Sequence, residues 1–172
     1  MVKRLAACLY ILVAAALAAE PPGPITIDYP LPGSVFPPDF AEPTFLWRDP
    51  AGQAGTWMIQ VAFSGAPPIR VVSPGERLRV GEIDPRAMAD TNEPPKLTPE
   101  QAAARTWRPD RQTWETIKKH SVRRPATVTI TGYREGDPRR PVSRGSVSIQ
   151  TSKDPVGAPI FYRDVPLMPS ET

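Results

Sequence analysis

Proline recurs along the whole of this chain and limits what the chain can fold into. The sequence holds 24 prolines in 172 residues, about 14% where ~5% is usual. Proline lacks a backbone donor and breaks helix interiors, and within sheets it is confined to edges, strand starts and bulges. This composition argues against a helical bundle and favours short strands joined by proline-bounded loops.

Between the prolines, apolar residues mostly alternate with polar ones, which is the pattern of half-buried strands. The clearest run places Trp57, Ile59, Val61 and Phe63 on one face and ends at Ser64-Gly65. About seven short strands separated by turns predict a mainly β chain folded as a β-sandwich. The other predicted strands cover residues 25–29, 44–47, 69–72, 78–80, 128–130 and 147–149.

Residues 98–120 interrupt this rhythm with a predicted helical insertion. Thr98-Pro99-Glu100-Gln101 combines an N-cap, a proline at the first helical position and a capping-box glutamine. We predict a short helix to about Trp107 and a second one over 110–120 that carries Trp114 on its apolar face. We expect both tryptophans to anchor the insertion over a sheet edge. The alternative is an exposed platform of two indoles that binds a glycan or peptide.

The first 19 residues read MVKRLAACLYILVAAALAA. A basic start, an apolar run and the small residues Ala16 and Ala18 are typical of a cleaved signal peptide. The run is shorter than the roughly 20 residues of a membrane-spanning helix. We therefore predict a signal peptide over 1–19, export to the periplasm or extracellular space, and no membrane span after cleavage. Leu5-Ala6-Ala7-Cys8 matches a lipoprotein cleavage box, but Cys8 lies at the front of the apolar run, so a lipoprotein is the less favoured alternative. Cys8 is the only cysteine, so cleavage of the leader would leave no cysteine for a disulfide.

The charge of the chain does not indicate nucleic-acid binding. Cleavage of the leader removes two basic residues and leaves 19 against 18 acidic ones. The pairs Lys118-Lys119, Arg123-Arg124 and Arg139-Arg140 are scattered among acids without interleaved aromatics. A nucleic-acid face needs a concentrated basic stripe. We therefore expect these pairs to be solvated and predict no nucleic-acid partner.

No residue pattern points to a reaction. His120 is the only histidine, and no G-x-S-x-G nucleophile motif is present. Zinc would need several His or Cys ligands. Four acids fall in one loop region without the alternating spacing of a calcium loop: Glu82, Asp84, Asp90 and Glu93. The sequence predicts a non-enzymatic protein with no catalytic, cofactor-binding or metal-binding residue.

The closing stretch, TSKDPVGAPIFYRDVPLMPSET, combines four prolines with large apolar residues. The prolines preclude a regular helix, but Ile160, Phe161, Tyr162 and Leu167 are too apolar for a solvated linker. We predict a sandwich over 20–150 and an extended, proline-rich tail over 151–172. The tail either folds back on the sandwich or docks on a downstream or partner domain.

Three stretches carry a family resemblance: TPEQAAARTW, PDRQTWETIKKHSVRRPATVTITGYR and SIQTSKDPVGAPIFYRDVPLMPSE. From about Ile25 onward the chain resembles the N-terminal region of exported bacterial TolB-like β-propeller proteins. The resemblance implies an immunoglobulin- or fibronectin-III-like module that leads such an assembly or is a truncated copy of one. Some of these proteins carry a Cys-x-x-Cys-His haem motif and propeller repeats downstream, and both are missing from this sequence. Haem binding is therefore assigned to no residue, and the expected role is structural.

Overall fold

The structure is a computed structural model that describes residues 21–81, 83–84, 88, 93 and 96–155. The predicted leader and most of the predicted tail lie outside these residues. The described part is mainly β and forms two sheets, consistent with the predicted β-sandwich. Its elements are β1 (Gly23–Pro24), β2 (Thr26–Tyr29), β3 (Ser34–Phe36), β4 (Phe45–Arg48), β5 (Thr56–Phe63), β6 (Ala66–Ser73), β7 (Glu76–Arg77), α1 (Pro99–Ala103), β8 (Arg105–Trp107), α2 (Arg111–Ser121), β9 (Ala126–Arg134) and β10 (Asp137–Thr151).

Sheet A, the larger of the two, has the order β6-β5-β9-β10 with antiparallel neighbours. On its other side β10 pairs in parallel with two short strands, β1 at Ser143–Arg144 and β3 at Ile149–Thr151. The 15-residue β10 is thus the longest described strand and is paired on both sides at two places. Sheet B is antiparallel throughout, in the order β2-β4-β8-β7.

The core lies between the sheets and is built by the alternation seen in the sequence. On β5 and β9, every second residue is buried, because the other positions point to the outer face of sheet A. Sheet B contributes Phe45 and Trp47, both fully buried. The buried apolar cluster comprises Ile25, Phe36, Phe45, Trp47, Trp57, Ile59, Val61, Trp107, Trp114, Ile117, Ala126, Val128, Ile130, Val147 and Ile149.

One carboxylate at the edge of the core, just after β4, joins β5 and β10 by hydrogen bonds. Asp49 Oδ2 accepts hydrogen bonds from Trp57 Nε1 at 3.0 Å and Ser143 Oγ at 2.5 Å. Gly132 on β9 leaves the space for this contact, because a Cβ there would lie 3.0 Å from the same carboxylate oxygen and would also press on Ser143. A side chain at position 132 would therefore break the polar contact or displace β9.

The helical segment differs from its prediction. The capping box at Thr98 and Gln101 is present, but α1 ends at Ala103 instead of near Trp107. Residues 105–107 form β8, which pairs with β4 and β7. Backbone pairing in sheet B thus overrides the local preference for helix. The stretch 98–120 is therefore not a purely helical insertion.

The second helix, α2, agrees closely with its prediction. Asp110 caps it by accepting a hydrogen bond from the Thr113 N–H at 2.7 Å. Hydrogen bonding to the Thr113 backbone holds the pKa of Asp110 below its usual value. Trp114 is buried on the apolar face of the helix, as predicted, and Ile117 is buried three residues further along the same face.

One strand prediction is corrected, and in the confirmed strand over 25–29 one side chain departs from the alternating pattern. The predicted strand at residues 78–80 is irregular, and the short β7 precedes it at Glu76–Arg77. Pairing of β7 with β8 places the strand two residues earlier than the apolar pattern suggests. Tyr29 ends β2 but is exposed, and the register of β2 against β4 shifts between Ile27 and Tyr29. A local irregularity of this kind turns side chains away from the expected face.

Candidate functional site

The structure places both predicted platform tryptophans in the core. The exposed fraction of Trp107 is 9% and that of Trp114 is 1%. Trp107 packs on Phe45 with ring centroids 5.1 Å apart, and Trp114 meets Phe36 edge-on at 5.3 Å. The alternative of an exposed indole platform for a glycan or peptide is therefore wrong. Trp107 anchors no insertion at a sheet edge either, because it belongs to β8 of sheet B.

The basic pair Lys118-Lys119 is only half solvated. Lys119 is exposed, but Lys118 is 7% exposed and its Nζ donates to the Pro38 carbonyl at 2.6 Å. The same ammonium group forms an ion pair with Glu115 at 2.8 Å. The expectation that Lys118 is solvated is thus wrong, because helix periodicity turns it toward the loop between β3 and β4.

His120 lies exposed near the end of α2, where its ring packs on Phe63 with centroids 5.4 Å apart. Among the described residues, no three His, Cys, Asp or Glu side chains form a group that could hold a metal ion. Of the four acids considered for calcium, Glu82 and Asp90 lie outside the described residues. Among the concave surfaces of the described residues, one is a mainly apolar groove and another is a cavity lined by cations.

An apolar groove opens on the outer face of sheet A, beside the first residues of β5. Cross-strand pairing puts Met58 directly beside Val72, and Thr56 beside Tyr133. These four residues line a concave volume of about 310 Å³ together with Arg134, Gly136 and Pro138. Val72 is 69% exposed, the largest value among the exposed large apolar residues of the described part. Apolar side chains thus stand where a solvated sheet face would carry polar ones.

The groove borders an open sheet edge. Strand β6 pairs with β5 alone and ends the order of sheet A within the described residues. Prolines 67 and 68 occupy the first half of β6, where they lack donors for a further strand. Residues 69–73 keep their backbone N–H groups. Only the half of β6 that adjoins the groove is therefore suited to pairing.

The point from which the predicted tail leaves is held firmly. Thr151, the last residue of β10, is buried, and its hydroxyl lies 2.9 Å from that of Ser121 on α2. The next residue, Ser152, donates its N–H to the Phe36 carbonyl at 2.8 Å. Four tail residues proposed to contact a partner lie outside the described residues: Ile160, Phe161, Tyr162 and Leu167.

The sequence contains one indication of the groove, which the assignment of strands from alternating apolar residues does not use. Met58 stands between Trp57 and Ile59, and Val72 follows Val71, so each breaks the apolar-polar alternation of its strand. An apolar residue at an outward position is such a sign. That Met58 and Val72 are neighbours depends on the register of β5 and β6, which the pattern of either strand alone does not determine.

Comparisons with known proteins give no assignment. No family model, curated protein or solved structure matches this chain. None of the helices among the described residues is long and apolar enough to cross a bilayer.

Proposed function

We propose that this chain is an exported, non-catalytic structural and interaction module. In this proposal the groove of sheet A binds an extended apolar segment and so fixes the position of a downstream or partner domain. The observation that carries the proposal is the exposed Val72, paired with the half-buried Met58, beside the open half of β6. Its resemblance to the N-terminal regions of TolB-like proteins, in which such a module precedes a propeller, supports the same role.

The geometry suits recognition by strand addition. In that mode backbone hydrogen bonds to a sheet edge supply affinity, and pockets for alternate side chains supply specificity. Residues 69–73 offer the edge, and the groove at Val72 offers an apolar pocket next to it. Burial of an exposed valine contributes on the order of 1.5–3 kcal/mol. A ligand that covers both features would gain from each.

We assign the segment 156–172 as the occupant of the groove. Its residues Ile160, Phe161, Tyr162 and Leu167 supply apolar side chains on a chain whose prolines favour extended conformations. Strand geometry puts the groove about 25–30 Å from the end of β10. Seventeen residues span up to roughly 55–60 Å when extended. The segment is thus long enough to reach the groove of its own chain, and a second copy could reach it too.

The test is an NMR comparison of the full chain with its Val72→Glu variant. A carboxylate in the groove should displace the apolar segment, because burial of a charge costs far more than the contact gains. We expect the amide signals of residues 160–167 to move to random-coil positions in Val72→Glu. Thr129→Glu is the matched control, since it adds the same charge on the same face of sheet A outside the groove.

Unchanged signals for 160–167 in Val72→Glu, or equal changes in Thr129→Glu, would rule the groove out as the docking site. A photo-crosslinker in place of Phe161 then identifies the receiving chain. Crosslinks to β6 within monomers place the segment on its own module, and crosslinked dimers place it on a second copy. Crosslinks elsewhere on the module contradict the assignment.

A further inference from the structure

A second cavity lies at the C-terminal end of α2, at the opposite end of sheet A from the apolar groove. It encloses about 310 Å³, at the lower limit of ordinary small-ligand pockets. Its walls come from α2, the residues that follow it and the turn between β5 and β6. The lining residues are Ser64, Lys119, His120, Val122, Arg123 and Arg124.

The cavity concentrates positive charge that no described acid balances. Lys119, Arg123 and Arg124 are exposed, and none of them forms an ion pair with a described residue. Cations near a helix C-terminus do stabilise the helix dipole, but that dipole corresponds to only about half a negative charge. Three full positive charges exceed that requirement several-fold. Capping of α2 therefore does not account for this cluster.

Part of the cavity is already ordered for binding. The Arg124 guanidinium donates to Ser64 Oγ at 3.0 Å, which fixes both side chains. Because Ser64 accepts in that bond, its own O–H remains free to donate to a ligand. His120 is held against Phe63. Gln150 donates to the Val122 carbonyl at 3.3 Å, which ties the residue after α2 to β10.

We infer that this cavity binds a phosphate group, free or borne by a small organic molecule or lipid headgroup. Guanidinium groups match the oxygens of phosphate in paired hydrogen bonds, and lysine adds a point charge. The hydroxyl of Ser64 completes a set of donors suited to a tetrahedral dianion. The cluster is confined to one cavity instead of a stripe, which fits a single phosphate better than a nucleic-acid backbone. This inference is independent of the proposed function, since it uses a different surface.

The test is an NMR titration of the full chain with inorganic phosphate at constant ionic strength, with chloride as the reference anion. We expect saturable shifts at Ser64, Lys119 and Arg124 with phosphate. The double variant Arg123→Gln, Arg124→Gln should weaken binding by about tenfold or more, because each charge-assisted hydrogen bond contributes that order. The exposed pair Arg139→Gln, Arg140→Gln, which lies at the other end of sheet A, is the matched control and should retain the affinity within about twofold.

Lys119→Gln provides a second variant that leaves the Arg124–Ser64 contact intact, and it should also weaken binding. Co-sedimentation with phosphatidic acid vesicles, against phosphatidylcholine vesicles, distinguishes the sources of the phosphate. Retention on the acidic vesicles with little response to free phosphate identifies a lipid headgroup, whereas saturation by free phosphate identifies a soluble ligand. Shifts that chloride reproduces, or equal losses in the control pair, overturn the inference. So does the failure of both phosphate and acidic vesicles to bind.

Discussion

At the scale of single residues, the buried tryptophans Trp47 and Trp57 pack edge-on and differ in the hydrogen bonding of their indole N–H groups. The ring centroids of Trp47 and Trp57 lie 5.9 Å apart, and both side chains are almost completely buried. Trp57 Nε1 donates to Asp49 at 3.0 Å, whereas Trp47 Nε1 has no hydrogen-bond partner among the described residues. An unsatisfied buried donor costs about 1–3 kcal/mol. Trp47 is therefore the site where the core tolerates an electrostatic cost for the sake of packing.

This contrast predicts that Trp57→Phe destabilises the protein more than Trp47→Phe. Both changes remove the same volume from the core, but only Trp57→Phe loses a hydrogen bond, and Trp47→Phe removes the unpaired donor. We expect the free energies of unfolding to differ by about 2 kcal/mol, measured by urea denaturation followed by far-UV circular dichroism. Equal losses in the two variants would show that Trp47 Nε1 is satisfied in solution.

At the scale of elements, α2 holds the loop between β3 and β4 through two side chains. Trp114 Nε1 donates to the Phe40 carbonyl at 2.8 Å, and Lys118 Nζ donates to the Pro38 carbonyl at 2.6 Å. Phe40 also packs on Phe36, which pairs with the end of β10 through β3. The helix thus fixes a loop that would otherwise have few partners.

Lys118→Met should loosen this loop without unfolding the helix. Methionine keeps the packing of the aliphatic stem but leaves the Pro38 carbonyl without its charged donor, a loss of about 1–3 kcal/mol. We expect faster amide exchange over residues 37–44 and a lower unfolding midpoint in urea. Lys119→Met is the control one position along, and its exposed side chain should change stability by no more than about 0.5 kcal/mol. Exchange rates that stay the same in Lys118→Met would mean that other contacts hold the loop.

The elements also show what local sequence can predict. Strands β5 and β9 were predictable because burial of one face imposes an alternation of apolar and polar residues. The helix cap at Thr98 was predictable because its partner Gln101 lies only three residues further along the chain. Strand β8 was not predictable, because the local residues favour helix and its pairing partners Phe45 and Trp47 lie about sixty residues away along the chain. The candidate sites could not be predicted from the sequence for the same reason, because their residues lie far apart along the chain. Arg124 and Ser64 meet only through the fold.

At the scale of the whole molecule, the two sheets share one core, and this predicts that they unfold together. Trp47 comes from sheet B and Trp57 from sheet A, and all four tryptophans of the chain lie in the buried cluster, so indole emission reports on the core that the sheets share. Far-UV circular dichroism reports on the strands themselves. For a single cooperative transition the two urea curves coincide. Loss of the circular dichroism signal at lower urea than the emission change would show that part of the sheet structure unfolds separately.

Gly75→Ala tests this coupling by a change at the interface itself. Gly75 has a φ of +61°, and a Cβ there would lie 2.7 Å from the Trp57 ring and 3.3 Å from Trp47. Gly33→Ala is the matched control, because Gly33 has a φ of +80° and a Cβ there meets nothing within 4 Å. Both variants bear the cost of a left-handed alanine, but only Gly75→Ala adds overpacking, which costs about 1–3 kcal/mol. We expect Gly75→Ala to lower stability by that much more than Gly33→Ala and to shift the emission and circular dichroism curves equally. A shift confined to the emission curve would mean that the two sheets do not depend on a common core.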